Sequence, residues 1–183
     1  NTLGSDGVKP FGEISNSFGS FNTIKNTVRF GTGLLNNNWT FEGRLSQLKS
    51  DGYIDRASSD LKSSYFSGGY YAETQSLKAI VFTGHERTYQ AWNGVPQSYL
   101  DSLPTFNAYN YEDEVDDYRQ THYQIHYNKQ IKTNTFLNFA SHYTKGSGYY
   151  EQYKGDQYNS FLNYGSQEIL SDYGINDSIT LNG

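Results

Sequence analysis

Along much of this chain apolar and polar residues alternate one for one. From Trp39 to Ser46 the odd positions hold Trp39, Phe41, Gly43 and Leu45, and the even positions hold Thr40, Glu42, Arg44 and Ser46. From Thr121 to Asn128 the odd positions again carry the large apolar groups, Tyr123, Ile125 and Tyr127, while His122, Gln124, His126 and Asn128 are polar. A strand's side chains point to opposite faces with a period of two, so each such segment has one oily face and one wet face. The pattern predicts seven strands, over residues 10–18, 23–35, 39–49, 59–72, 76–88, 118–128 and 135–146. No segment carries a convincing helical period, so the expected fold is all-β, an antiparallel meander.

The connections come in two kinds. Residues 36–38, 73–75 and 129–134 are short polar turns. Residues 51–58, 89–117 and everything after Ser147 are long. The short and long connections fall at opposite ends of the strands, and the turn near 19–22 joins the long ones by parity. Strands of about ten residues with this alternation, short turns at one end and long loops at the other, are the pattern of an outer-membrane barrel. Parity then directs Val28, Phe30, Leu34, Trp39, Phe41, Leu45, Tyr123, Ile125, Leu137 and Phe139 toward lipid. It directs Arg29, Glu42, Arg44, His122, His126 and Asn138 inward. Bacterial single-chain barrels have an even number of strands, so seven strands are expected to be part of a larger barrel.

Composition adjusts this picture at a few points. The chain has 183 residues, with 18 Tyr, 11 Phe and 2 Trp. Such an aromatic load suits β surfaces and membrane-interface girdles. The mean hydropathy of −0.78 is low. A barrel tolerates that, because only alternate strand residues meet lipid and the loops are polar. The longest plain apolar run is Ala79-Ile80-Val81-Phe82, so neither a transmembrane helix nor a signal peptide is expected. The net charge of −5 argues against nucleic acid as a partner. The absence of cysteine excludes disulfides, thiolate metal sites and a cysteine nucleophile.

Several strings carry a family resemblance. Gly19-Ser20-Phe21-Asn22-Thr23, Phe30-Gly31-Thr32-Gly33-Leu34-Leu35 and Gly43-Arg44-Leu45-Ser46 resemble the early barrel of a TonB-dependent outer-membrane receptor. More specific are Lys49-Ser50-Asp51-Gly52-Tyr53-Ile54-Asp55-Arg56-Ala57-Ser58, Thr88-Tyr89-Gln90-Ala91-Trp92-Asn93-Gly94-Val95-Pro96 and Gly148-Tyr149-Tyr150-Glu151-Gln152-Tyr153-Lys154. These are similar to iron-chelate receptors of Bacteroidetes-like bacteria. The resemblance implies about seven strands of a 22-stranded plugged barrel, integral to the outer membrane with its long loops extracellular. It implies import of a ferric chelate or similar bulky solute, energised through TonB. The partners it implies are that solute, the plug domain of the same receptor, TonB and outer-membrane lipid. Residues 1–8 are then the end of the plug-to-barrel link, and 9–183 the N-terminal part of the barrel. No TonB box, plug or later strand is recognisable in the chain.

The candidate chemistry is that of binding. The 89–117 connection is the strongest candidate, because loops of that length are usually functional or disordered. It holds Tyr89, Trp92, Tyr99, Phe106, Tyr109 and Tyr111, stiffened by Pro96 and Pro104. With Tyr149 and Tyr150 of the last connection, Tyr89, Trp92, Tyr109 and Tyr111 are the candidate ligand-binding residues. Aromatics there can stack on a flat ligand, close a lid, or pack the loop on itself. His122 and His126 cannot share a metal ion on a strand, where four residues span about 13 Å. Both read as lumen-facing polar side chains, as does His142. His85 reads as a solvated histidine near an outer strand end. Arg29, Glu42, Arg44 and Lys78 read as a polar lining or as contacts that position a plug. The run Glu112-Asp113-Glu114-Val115-Asp116-Asp117 lacks EF-hand spacing and reads as a solvated face. Gly31-Thr32-Gly33 has no helix after it and is no phosphate loop; its small residues suit close approach of a plug. Asn38-Trp39-Thr40 and Asn176-Asp177-Ser178 match the glycosylation pattern only weakly. No catalytic set, cofactor or metal site is expected. The rival readings are a soluble all-β carbohydrate-binding module and a passive porin or adhesin barrel.

Overall fold

The computed structural model describes residues 9–153. The proposed link over 1–8, Lys154 and the Asn176 pattern lie outside the described residues. Seven strands form one antiparallel sheet in sequence order. They are β1 (Phe11–Gly19), β2 (Thr23–Gly31), β3 (Trp39–Ser50), β4 (Ser59–Ala72), β5 (Gln75–Tyr89), β6 (Val115–Lys132) and β7 (Thr135–Glu151). The sheet is an open meander, and among the described residues the outer edges of β1 and β7 are unpaired.

Each turn has a local cause. Between β2 and β3, Asn36 and Asn37 adopt positive φ, which asparagine tolerates better than most residues. Asn38 then anchors the turn to the next hairpin by donating its side-chain amide to the Tyr71 carbonyl at 2.6 Å. At the opposite end, the Asp51 amide donates to the Phe21 carbonyl and Asn22 Nδ2 to Asp51 Oδ2, tying the short first turn to the 51–58 loop. The two kinds of connection therefore do lie at opposite ends of the sheet.

Several boundaries differ from the sequence reading. β2 stops at Gly31, leaving Leu34 outside any strand, because Gly33 turns the chain at φ 65°. β6 runs to Lys132, so the 129–134 turn shrinks to two residues. β5 takes in Tyr89 and β6 begins at Val115, which shortens the long connection to 90–114. β7 runs on to Glu151, so Tyr149 and Tyr150 stand on a strand and not in a loop. A short helix, α1 (Gln97–Ser102), also interrupts the long connection, where no helix was expected. Pro96 opens it with a preset φ, and Leu103 followed by Pro104 closes it.

Register sorts the side chains onto two faces. One row across the sheet reads Gly12, Phe30, Gly43, Phe66, Val81, Tyr123 and Tyr143. Another reads Trp39, Tyr70, Leu77, Tyr127 and Phe139. Both belong to one face, as do Val28, Phe41, Leu45, Ile125 and Leu137. On the other face the row is Glu13, Arg29, Arg44, Tyr65, Phe82, His122 and Thr144. Glu42, His126 and Asn138 share that second face. The strand residues sorted by parity thus fall on two opposite faces as expected.

Among the described residues only Ile80, Tyr109 and Val115 are buried apolar side chains. Trp39, Phe41, Leu45, Tyr123 and Ile125 are all close to half exposed. The oily face is therefore uncovered. Aromatic rings lie flat over glycines directly opposite them, as Phe30 over Gly43, Phe11 over Gly31 and Tyr118 over Gly148. The space at Gly31, which the sequence reading kept for a plug, is filled by Phe11. A Cβ at position 43 would collide with the Phe30 ring. Gly43→Val should therefore cost about 1–3 kcal/mol by overpacking. In a Phe30→Ala background the same change should cost nothing, and urea unfolding of the four-member mutant cycle measures the difference. Equal costs in both backgrounds would refute the ring-over-glycine account.

Candidate functional site

The long-loop end carries the densest network of polar contacts. Arg56, at φ 65°, sends Nε to the Tyr109 carbonyl at 2.8 Å and Nη2 to the Asn107 carbonyl at 2.6 Å. The Asn107 side chain, 3% exposed, donates to the Asp55 carbonyl at 3.0 Å and accepts from the Tyr109 amide at 3.0 Å. The Asp55 amide completes the seam by donating to the Thr105 carbonyl at 2.7 Å. The 51–58 and 90–114 loops are thereby stitched into one body.

Glu114 is the second organising residue. It is 1% exposed. Its Oε1 accepts from Trp92 Nε1 at 2.6 Å, and its Oε2 accepts from the Tyr153 amide at 3.3 Å. Its own carbonyl accepts from the Gln90 amide at 2.8 Å. One carboxylate thus holds the start of the long loop and the chain beyond β7. A buried carboxylate is tolerable only with hydrogen bonds to its oxygens, and these donors supply them.

The six aromatic candidates separate into different surroundings. Trp92 and Tyr150 form an edge-on pair with ring centres 5.9 Å apart, and Tyr150 is 71% exposed. Tyr111 donates its hydroxyl to Glu151 Oε1 at 2.6 Å and lies against Tyr153. Tyr109 is buried inside the loop and accepts from Asn93 Nδ2 at 2.6 Å, so it packs the loop on itself. Tyr89 ends β5 with its hydroxyl buried beside the Arg56 guanidinium, and burial raises its pKa above the ordinary tyrosine value. Tyr149 shares its row with Asp117 and Arg87 on the oily side of the sheet. Tyr150, one residue on, points to the opposite face. The structure therefore brings Trp92, Tyr111 and Tyr150 around Glu114 and its strand neighbours, and leaves Tyr149 on the other face.

The hydrogen bond to Glu151 pushes the Tyr111 hydroxyl up to about 12, with burial and the Glu151 charge adding to it. A raised phenol means that this link is complete below the ordinary tyrosine range and is lost as pH rises through about 12.

Glu114, Asn107 and Arg56 had no role in the sequence reading. The acidic run that reads as a solvated face is in fact divided. Glu114 is buried, and Asp113 and Asp117 take Arg87 at 3.0 and 4.0 Å. His85 bonds Asp117 through Nε2 at 2.9 Å instead of standing free in water.

The polar face of the sheet carries a hollow of about 1110 Å³, lined in part by Arg29, Glu42, Arg44, Tyr65 and His122. Arg29 pairs with Glu13 at 3.2 Å. His122 stacks on Phe82 and shares a hydrogen bond with Thr144 at 2.9 Å. His126 lies on the same face beside Gln124, and His142 shares a register row with Gln124 and Ile80. Lys78 is buried near the short-turn end of this face. Among the described residues no three His, Asp or Glu side chains converge as metal ligands.

No protein-family model matches the chain, and no curated protein matches it.

Removing the buried carboxylate tests the loop network. Glu114→Ala should open residues 90–114 locally at a cost of about 1–3 kcal/mol, seen as roughly 10- to 100-fold faster amide exchange there. Unchanged exchange in that segment would refute the clamp.

Proposed function

We propose that this sheet is a wall segment of an outer-membrane β-barrel, oily face to lipid and polar face to the lumen. The observation that carries the proposal is an oily face that crosses all seven strands and is left uncovered among the described residues. Its contiguous edge toward the long-loop end runs through Ile14, Val28 and Leu45 in one register row, and through Phe66, Val81, Tyr123 and Tyr143 in a second row two residues further from that end. On β7, Lys145 and Ser147 lie beyond it on the same face. Strands with one apolar and one polar face suit a barrel wall between lipid and lumen. A soluble sandwich would cover such a face with a second sheet.

The further reading is a TonB-dependent receptor that imports a ferric chelate or a similar bulky solute. Its support is the set of resembling strings, three of which fall on the stitched loops and on the end of β7. The polar hollow suits a plug, and the exposed Trp92–Tyr150 pair suits a ligand with a flat face. The long-loop end is then extracellular and the short-turn end periplasmic.

Two experiments test these readings separately. Ile125→Arg, in the middle of the oily band between Tyr123 and Tyr127, should impair assembly by about 2–4 kcal/mol, whereas Arg44→Leu should assemble normally. Normal yield of the first beside loss of the second would reverse the faces. Deletion of residues 91–111 should abolish high-affinity uptake of a ferric chelate at limiting iron while the barrel still assembles. Equal uptake by the deletion and the parent would remove the loop from the transport reading.

A further inference from the structure

The margin of the oily band at the long-loop end is unusually cationic for a chain of net charge −5. Beyond the band, the outward rows carry Lys49, Lys62, Arg87, Arg119 and Lys145, joined by His85. The carboxylates facing them are Asp60, Asp117 and Glu151 on the outward rows, the last taken by the Tyr111 hydroxyl, and Asp113 from the loop. Asp60 is shared by Lys49 at 3.5 Å and Lys62 at 3.3 Å. Asp117 is shared by His85 at 2.9 Å and Arg87 at 4.0 Å, and Arg87 also meets Asp113 at 3.0 Å. The side chains of Arg119 and Lys145 make no ion pair or hydrogen bond among the described residues. Positive charge is therefore in surplus at this level of the face.

A groove of about 620 Å³ crosses the boundary. Val28 and Leu45 line its apolar part, and Lys62, His85 and Arg119 line its polar part. Those three lie side by side in one register row. The groove is thus greasy toward the band and cationic toward the loops. A soluble anion would need only the second half.

Resting on the membrane reading above, we propose that this groove binds an outer-leaflet lipid whose phosphate-bearing headgroup carries a net negative charge. The phosphate takes Lys62 and Arg119, and the first part of an acyl chain lies on Val28 and Leu45. Arginine offers a planar fork to phosphate oxygens and lysine a mobile point charge, so the pair can follow a headgroup at the membrane surface. The long aliphatic stems of both residues suit the same boundary. This contact would fix the depth and rotation of the wall in the leaflet, which the hydrophobic band alone leaves loose.

The test uses the complete assembled protein in a zwitterionic detergent. Phosphatidylglycerol, phosphatidylcholine with the same acyl chains, or inorganic phosphate is added, and the thermal unfolding midpoint is read. Half the maximal upward shift should need at least tenfold less phosphatidylglycerol than phosphatidylcholine, and inorganic phosphate alone should give no shift. The preference should weaken with added salt, because the charges are near the surface. Lys62→Glu with Arg119→Glu should abolish it, and Lys62→Gln with Arg119→Gln serves if the reversal does not assemble. Lys129→Glu, on the same face at the other margin, should keep it. Equal potency of the two lipids, a preference that survives both double variants, or an equal shift with inorganic phosphate would overturn the site. In those cases a barrel that still requires detergent leaves the membrane reading standing. A protein that stays folded and monodisperse without detergent or lipid would overturn both.

Discussion

A single β-sheet has two faces, and everything in this molecule follows from the way they differ. Between the outer edges of β1 and β7 the backbone amides satisfy one another along the ladder, whatever solvent lies outside. The side chains cannot do the same, since no second layer covers the oily face among the described residues. Fully burying one large apolar side chain is worth about 1.5–3 kcal/mol, so a face carrying Trp39, Phe41, Leu45, Phe66, Tyr123 and Ile125 has a strong requirement for an apolar medium. On the membrane reading proposed above, that requirement sets the orientation of the sheet and accounts for the polar residues on one side and beyond one margin.

The loop end is built on a different principle. Its stability comes from polar groups in hydrogen bonds, above all the buried Glu114 and Asn107, with the Arg56 guanidinium bonded to the carbonyls of Asn107 and Tyr109. Removing one partner of such a group leaves the other buried and unsatisfied, so these contacts hold conformation more sharply than apolar packing does. A body of that kind can present Trp92 and Tyr150 in a fixed relation to the strands. It is thus better suited to preorganised recognition than to a floppy lid.

The strands were legible where their alternation was strong. The ends of β6 and β7 were not, because Asp116, Asp117, Ser147 and Gly148 rise past the oily band and offer no apolar beat to count. Thr32-Gly33-Leu34-Leu35 misled in the other direction, since its apolar residues continue the pattern while Gly33 turns the backbone. The helix α1 has six residues, too few for a 3.6-residue period to declare itself. Glu114 stayed hidden in a run of acids, for burial of one carboxylate depends on the Trp92 and Tyr153 donors that folding brings to it. Arg56 was invisible for a similar reason, since its partners are carbonyls about fifty residues on.

The rings lying over glycines bear on how such a sheet avoids pairing errors. A strand that slips by one place turns its oily side inward, and the hydrophobic effect rejects it at once. A slip of two places keeps every oily residue outward, so that same force cannot detect it. Phe30 opposite Gly43 and Tyr118 opposite Gly148 supply the missing discrimination, because each ring needs an empty site in the facing strand. Two places away, Phe30 would meet Phe41 or Leu45. With Phe11 on Gly31 and Phe41 beside Gly68, four of the six hairpin seams carry such a fitting. The glycines therefore act as notches that index the strands, a proofreading device made from the absence of side chains.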